Sequence, residues 1–264
     1  GLPLTSDVDL GRPEGMRRAL RTLVREGVVE EYDGGVEPVY AITRERHHEA
    51  AFYRNTVTHY FITRAIVEVA AVQAQEGASD RTADLTAALW EHALAIRDLL
   101  KYEFFFATKA EFDAEIRAET ALALPDWDDD QVTADSVTAV LRTSPLLLAH
   151  RVVGPFLEAT QVVAHRLATR EPAAPVDQDA LVAESLGVAR QRWLQRDLHS
   201  AESISKDLMT NAVKLAGNRD LLGPGGDELR AAREAFAAEL DAVVAAVGVV
   251  RDVALRSLSV DRSS

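Results

Sequence analysis

The sequence contains no cysteine, which excludes disulfides, thiolate catalysis, cysteine-ligated zinc and iron–sulfur clusters. Positive charge is also scarce, because 29 Lys and Arg residues face 42 Asp and Glu residues, a formal net charge of −13 over 264 residues. Affinity for a phosphate backbone depends on Lys and Arg, so a general nucleic-acid-binding role is excluded. With 47% apolar and 27% charged residues, the chain has the composition of a globular protein rather than a disordered one.

Long apolar runs are missing as well. A helix needs about 20 apolar residues to span a bilayer, and the longest clean run here, 242–250, lies between Asp241 and Arg251. The chain opens on Gly1 without an initiator Met, and no basic segment introduces an apolar one, as a signal peptide would require. We therefore expect a fragment or processed product of a longer protein, soluble without detergent.

Residues 1–43 predict a small module of one helix followed by a β-hairpin. Pro13 suits the first turn of a helix and Gly27 suits its end. The turn at 33–35, Asp-Gly-Gly, separates two β-prone runs and predicts the hairpin. This order is winged-helix-like, but the hairpin carries acids that would repel DNA: Glu30, Glu31, Asp33 and Glu37. We expect a packing module rather than a DNA-binding one.

Residues 44–264 predict a multi-helix bundle, so the expected fold class is mainly α. Apolar residues recur here at three- and four-residue spacing, as amphipathic helices require. A kink or break is expected near Gly154, because Pro155 lies inside a helical pattern. The predicted helices cover 45–76, a segment from a cap at Ser79 or Asp80 toward Leu124, 133–143, 145–170, 177–199, 201–216 (stopped by Gly217-Asn218) and 227–258.

Two clusters of metal-ligating residue types fail the tests for a metal site. The acidic run 126–130 has Gln131 where an EF-hand loop needs a glycine. His47 and His48 are adjacent, so on a helix they point about 100° apart. We therefore expect neither a metal nor a cofactor.

A polar stripe marks an otherwise apolar helical segment. Asn55 and His59 are four residues apart, with Arg54 beside them. Buried polar groups need hydrogen-bond partners, so the stripe is either a structural seam or one wall of a polar cleft. Arg54, Asn55 and His59 are accordingly candidates for lining a substrate cleft or a docking surface.

A basic stripe is the second candidate. Arg192, Arg196 and His199 lie at i, i+4 and i+7 in the helix predicted over 177–199 and are expected to share one face. Ser200 is expected to cap a following helix, which would set a tight corner between the two. The stripe is either a solvated face with local ion pairs or a surface that docks on a second domain.

The two stripes also carry a resemblance to a known family. Residues 52–55 (Phe-Tyr-Arg-Asn) with His59 resemble the Y-[YF]-R-N-N-x-x-H signature of the large membrane-associated glycerol-3-phosphate acyltransferases, bacterial and mitochondrial. Residues 100–105 (Leu-Lys-Tyr-Glu-Phe-Phe) look like their L-[RK]-x-E-F-x box, and residues 154–159 (Gly-Pro-Phe-Leu-Glu-Ala) like their P-x-L-E-x-Y segment.

The last segment of the resemblance is the longest. Residues 195–222 are similar to the family block Q-R-x-[IL]-H-S-x-E-S-x-S-K…A-x-x-L-A-x-N-R-G-L. Two positions depart from the family pattern: Thr56 replaces the second Asn of the signature, and Asp220 replaces the glycine of the closing R-G-L.

The resemblance implies transfer of a fatty-acyl group from an acyl thioester to the 1-hydroxyl of glycerol 3-phosphate, the first step of phospholipid synthesis. The family's catalytic H-x-x-x-x-D box is absent, because none of the seven histidines has an Asp five residues on. We therefore expect the C-terminal helical domain of such an enzyme, with no catalytic residue of its own and a structural, cleft-completing role.

The expected partners follow from that family. They are the catalytic domain of the same protein, acyl-CoA or acyl-carrier protein and glycerol 3-phosphate through the parent enzyme, and a peripheral membrane surface on the cytoplasmic side; nucleic acid is not among them. Two alternatives stand beside this interpretation, a helical ligand-sensing transcriptional regulator and a stand-alone helical scaffold.

Overall fold

The computed structural model describes residues 13–35, 38–42, 58–76, 82–123, 133, 135, 139, 141 and 147–260. The chain divides into two compact units, 1–59 and 60–264. The domain boundary predicted at 43/44 borders a segment outside the described residues and stays a prediction.

The first unit contains a helix and a hairpin, as predicted. Helix α1 (Pro13–Arg25) is followed by an antiparallel pair, β1 (Glu30–Tyr32) and β2 (Val39–Ala41). Gly27 ends the helix with a φ of 71°, and its N–H bonds to the carbonyl of Val24 at 2.9 Å. Glycine suits this left-handed position because it has no Cβ.

The second unit is a bundle of helices, which confirms the mainly α fold class. Its elements are α2 (Ile62–Glu76), α3 (Thr82–Leu99), α4 (Lys109–Ala123), α5 (Ala149–Val152), α6 (Gly154–Ala168), α7 (Gln178–Leu194), a 3₁₀ turn (Ala201–Ser203), α8 (Lys206–Asn218) and α9 (Asp227–Val260).

Helix α6 lies at the centre of this bundle. Eleven of its 15 residues are buried, and it packs against α5, α7, α8, α9 and the 3₁₀ turn. Helix α2 is the second buried helix and packs against α3, α4, α5 and α9. The 34-residue helix α9 contacts both buried helices and so joins the two halves of the core.

The predicted break inside the helix over 145–170 is confirmed. Val153 separates α5 from α6, and Pro155 lies in the first turn of α6. Proline is tolerated there because the first N–H groups of a helix have no partner inside it.

Two predicted helices differ from the described structure. Residues 45–57 of the helix predicted over 45–76 lie outside the described residues, and the described part has a turn at 59–61 before α2 begins. The helix predicted toward Leu124 leaves the helical path after Leu99 and resumes at Lys109. The restart has a capping box, because Thr108 Oγ1 accepts from the Glu111 N–H at 3.4 Å and the Glu111 carboxylate accepts from the Thr108 N–H at 3.0 Å. The Thr-x-x-Glu pattern was visible in the sequence.

Helix α8 differs from its predicted bounds at both ends. It begins at Lys206, where Ser205 caps it by accepting from the Leu208 N–H at 3.5 Å. It ends at Asn218, and Asp220 follows with a φ of 57°, while the N–H of Leu221 bonds back to the Ala216 carbonyl at 3.0 Å. This is a Schellman motif with Asp220 at the position that glycine usually takes.

Candidate functional site

A buried carboxylate organises the candidate site. Glu158 on α6 is 4% exposed and accepts four hydrogen bonds. Its Oε1 accepts from the His199 backbone N–H at 2.8 Å and contacts His199 Nδ1 at 3.1 Å, and its Oε2 accepts from the Ser200 N–H at 3.2 Å and from Ser203 Oγ at 2.5 Å. We call these four residues the Glu158 cluster. They fix the chain between α7 and α8 to the central helix.

The cost of burying this charge explains the number of partners. A carboxylate removed from water must be compensated by hydrogen bonds, and one carboxylate offers about four acceptor positions. The Glu158 cluster fills all of them. The family segments 154–159 and 195–206 are therefore in direct contact through this single side chain.

Helix α7 ends just before the Glu158 cluster. Arg196 has a φ of 65°, its N–H bonds to the Trp193 carbonyl at 3.0 Å, and the Asp197 N–H bonds to the Arg192 carbonyl at 2.9 Å. This pair of bonds is a Schellman motif with Arg196 in the left-handed position. We call residues 193–203 the corner.

The prediction that Arg192, Arg196 and His199 share one helical face is therefore wrong. Only Arg192 lies in α7, which ends at Leu194, because Arg196 takes a backbone conformation that stops the helix. The prediction that Ser200 caps the next element is correct in kind: it accepts from the Glu202 N–H at 3.2 Å, but the element is the 3₁₀ turn.

The three basic residues have different surroundings. Arg192 is half-buried and donates to Gln161 Oε1 at 3.2 Å, and Gln161 in turn donates to Asp241 at 2.7 Å. Arg196 is exposed and has no ion-pair partner among the described residues, while His199 faces both the Glu158 cluster and solvent. The corner thus presents Arg196 and one side of His199 outward.

The polar stripe of the first unit is only partly described. Arg54 and Asn55 lie outside the described residues. His59 is exposed in the turn at 59–61 and follows the buried Thr58. The roles predicted for Arg54, Asn55 and His59 stay predictions.

A second polar contact joins the turn after α3 to α8. Lys101 donates to Asn218 Oδ1 at 2.6 Å, and Asn211 donates to Glu103 Oε2 at 3.2 Å. Burial raises the pKa of Glu103 to about 7, and the negative charge of Asp207 adds to the rise, while the Asn211 hydrogen bond and the positive charge of Lys214 oppose it. Lys101 and Glu103 are the charged positions of the family box over 100–105.

Aromatic packing connects this contact to the Glu158 cluster. Phe104 meets Phe156 edge to face, with ring centroids 4.9 Å apart, and Phe156 lies two residues before Glu158 on α6. Three segments that carry the family resemblance, 100–105, 154–159 and 195–222, are therefore linked by contacts on the first turns of α6 and along α8.

Sequence reasoning did not select Glu158 as a site residue. Its signal was available, since a charged residue stands among apolar ones in a helix that reads as buried, and such a residue needs several partners. Those partners lie 41 to 45 positions further along the chain, and periodicity alone does not pair residues at that distance.

The described part of the chain contains a groove but no metal site. The groove, about 530 Å³, lies between α7 and α8 with Lys206 and Lys214 on its lining; Glu158 and His199 do not line it. No group of three or more His, Asp or Glu residues that could hold a metal is found among the described residues. Within the same residues, no helix has both the length and the apolar character needed to cross a membrane.

Fold and site together define a helical domain, in which polar side chains of one central helix fix the chain between α7 and α8. The family model for the C-terminal region of glycerol-3-phosphate acyltransferase matches residues 1–225. The chain belongs to this family, and the regulator and scaffold alternatives receive no support.

The similarity to two mycobacterial relatives also supports membership of this family. The chain is 37% identical over 251 residues to proteins of Mycobacterium tuberculosis (strain H37Rv) and Mycobacterium bovis that are named as the acyltransferase plsB1. The alignment covers 94% of this chain but 40% of each relative. The chain therefore spans about two fifths of the length of the curated relatives it matches.

Proposed function

We propose that this chain is the C-terminal helical domain of a glycerol-3-phosphate 1-O-acyltransferase. The parent enzyme would transfer a fatty-acyl group from an acyl thioester, acyl-CoA or acyl-carrier protein, to glycerol 3-phosphate. Membership of the family and the acyltransferase names of the two relatives support this proposal. The domain itself has no catalytic role, because its sequence lacks the family's H-x-x-x-x-D box.

The role of the domain is to dock on the catalytic domain of the same protein and complete its cleft. The observation that carries this role is the Glu158 cluster. Four hydrogen bonds accepted by one buried carboxylate fix the corner, yet the residues that the corner presents, Arg196 and His199, are exposed. A rigid backbone with outward-facing Arg and His side chains is an arrangement suited to meeting another surface.

The parent enzyme is proposed to act at the cytoplasmic face of the cell membrane as a peripheral protein. The reason is chemical: its acceptor is water-soluble, whereas its acylated product carries a fatty chain that partitions into lipid. The domain would contribute to this placement by holding the catalytic domain in a fixed orientation.

The test is Arg196→Ala in the full-length enzyme, with Arg230→Ala as the matched control. Arg230 is an exposed arginine on α9 with surface ion pairs, which contribute little to stability. We expect Arg196→Ala to lower kcat/KM about tenfold, the effect of one lost contact, without changing the melting temperature, and Arg230→Ala to change neither. The chain of 264 residues alone should show no turnover above background.

Two results would remove the case for docking. One is wild-type turnover in the Arg196→Ala enzyme. The other is a fall of both the melting temperature and the turnover in the Arg196→Ala enzyme, which would show that Arg196 serves folding alone.

A further inference from the structure

His199 contacts the buried Glu158 through one ring nitrogen, while half of its side chain is exposed. Its Nδ1 lies 3.1 Å from Glu158 Oε1, and its side chain is 50% exposed. Nε2 has no hydrogen-bond partner among the described residues. The side chain therefore links a buried carboxylate to whatever contacts the corner.

The hydrogen-bond pattern assigns the tautomer of His199. Backbone N–H groups can only donate, so Glu158 Oε1 and Oε2 both act as acceptors toward His199 and Ser200. A carboxylate that accepts on both oxygens leaves Nδ1 as the donor in the remaining contact. In the neutral ring Nε2 then carries the lone pair, and it points away from the cluster as a hydrogen-bond acceptor.

The imidazole is not required to hold the corner. The backbone N–H groups of His199 and Ser200, together with the Ser203 hydroxyl, already give Glu158 three hydrogen bonds. Any residue other than proline at position 199 would supply the first of these, because the donor is the backbone N–H. The fourth bond, from Nδ1, instead fixes the orientation of the ring, as carboxylate–histidine pairs do where the second nitrogen has a task.

The surroundings of Nε2 favour a protein surface as its partner. Trp193 is 39% exposed and Leu194 is 82% exposed, and Arg196 is exposed beside them. Exposed Trp and Arg residues with an apolar neighbour are typical of the centre of protein interfaces. A metal partner is not supported, because the described residues provide no ligand group around His199.

We infer that His199 is a positioning residue whose Nε2 accepts a hydrogen bond from a donor group on the catalytic domain of the parent acyltransferase, with Trp193, Leu194 and Arg196 forming the rest of the contact. The inference rests on the proposed docking function. It adds the atom that orients the contact, the tautomer of His199 and the class of partner group, which is a hydroxyl, an N–H or a cationic side chain.

Two isosteric variants of the full-length enzyme separate the two ring nitrogens. In His199→Asn the amide nitrogen replaces Nδ1 and keeps the bond to Glu158, but nothing reaches the position of Nε2. In His199→Gln the amide oxygen replaces the Nε2 acceptor. We expect His199→Asn to melt like the wild type with kcat/KM about tenfold lower, and His199→Gln to recover part of that loss.

The control is His165→Gln, in which the amide nitrogen takes the place of Nε2 and keeps the bond to Asp241. His165 is also half-exposed and bonded to a carboxylate, Asp241, at 2.7 Å through Nε2, but it lies outside the corner. We expect its turnover to equal that of the wild type. Wild-type turnover in His199→Asn, or a fall in both melting temperature and turnover, would overturn the inference.

A second readout does not depend on activity. With ¹⁵N-labelled histidine, the His199 resonances should show the Nδ1–H tautomer in this chain, and the Nε2 resonance should shift in the full-length protein. A full-length enzyme without acyltransferase activity would refute the proposed function, whereas an unshifted Nε2 resonance in an active enzyme would refute this inference alone. A shift that appears only after addition of glycerol 3-phosphate would also overturn it, in favour of a substrate contact.

Discussion

Asn211 on α8 donates a hydrogen bond of 3.2 Å to Glu103, 108 positions earlier in the chain. The bond joins the turn after α3 to helix α8, and it holds a carboxylate whose pKa is raised by burial to about 7 from a usual 4.5. A carboxyl group with a raised pKa in the folded state stabilises the fold when protonated. Its contribution is complete below pH 4.5 and is lost as the pH rises through about 7.

Glu103→Gln is expected to remove this pH dependence. The amide keeps an acceptor for Asn211 but carries no charge, so the variant should gain stability relative to the wild type as the pH rises from 5 to 8, by about 2 kcal/mol after allowance for solvent around a half-buried group. Urea unfolding at a series of pH values measures the difference. Glu91→Gln, an exposed position on α3, is the control, and equal pH profiles for Glu103→Gln and the wild type would contradict the prediction.

Asp220→Gly is expected to stabilise the chain. Asp220 has a φ of 57°, a conformation that costs most residues about 1 kcal/mol and glycine nothing, and the family pattern has glycine at this position. We expect a gain of about 0.5–1 kcal/mol in the free energy of unfolding. Asp220→Ala removes the same charge but keeps a Cβ, so it should be no more stable than the wild type. A gain in both variants would attribute the effect to charge at the end of α8 instead.

The ends of the helices show where sequence reasoning succeeds and where it fails. Periodicity predicted the helices, and Gly27 and Pro155 correctly predicted an end and a break, because these residue types have distinctive backbone preferences. The ends of α7 and α8 were missed because Arg196 and Asp220 occupy left-handed positions where glycine would have been the recognisable signal.

The candidate site was predictable in its segments but not in its contacts. Resemblance selected the segments 100–105, 154–159 and 195–222. The pairing of Glu158 with Ser203, or of Asn211 with Glu103, depends on how α6 and α8 pack on each other and on the turn after α3, and no local pattern encodes that packing.

Arg233 is expected to be the arginine whose replacement lowers the stability of the chain most. It is 1% exposed on α9 and donates to three backbone carbonyls, those of Leu221 at 2.8 Å, Gly223 at 3.3 Å and Arg170 at 3.5 Å. It therefore ties the ends of α6 and α8 to α9. Arg233→Met leaves these carbonyls without a donor, and we expect a loss of about 3 kcal/mol in the free energy of unfolding.

Arg230→Met is the matched control for this change, because Arg230 lies three residues earlier on the same helix and its ion pairs are at the surface. The free energy of unfolding of Arg230→Met should lie within about 0.5 kcal/mol of the wild-type value. If the free energy of unfolding of Arg233→Met also stays within that range, the hydrogen bonds from the guanidinium to the three carbonyls do not contribute to stability.

The last prediction concerns Glu158. In Glu158→Gln one acceptor oxygen becomes an N–H₂ group, so at least one of the donors from His199, Ser200 and Ser203 faces another donor in a buried site. We expect a loss of about 2–4 kcal/mol in the free energy of unfolding, against no measurable change in the exposed Glu91→Gln. The amides of His199 and Ser200 should also exchange with solvent faster than in the wild type, because their acceptor is lost.

Fast exchange at 199–203 with the rest of α7 and α8 still protected would locate the effect at the corner, and the Nδ1–H resonance of His199 should broaden or disappear with it. Unchanged exchange at His199 and Ser200 would mean that the corner is fixed by apolar packing, and the Glu158 cluster would then lose its part in orienting His199.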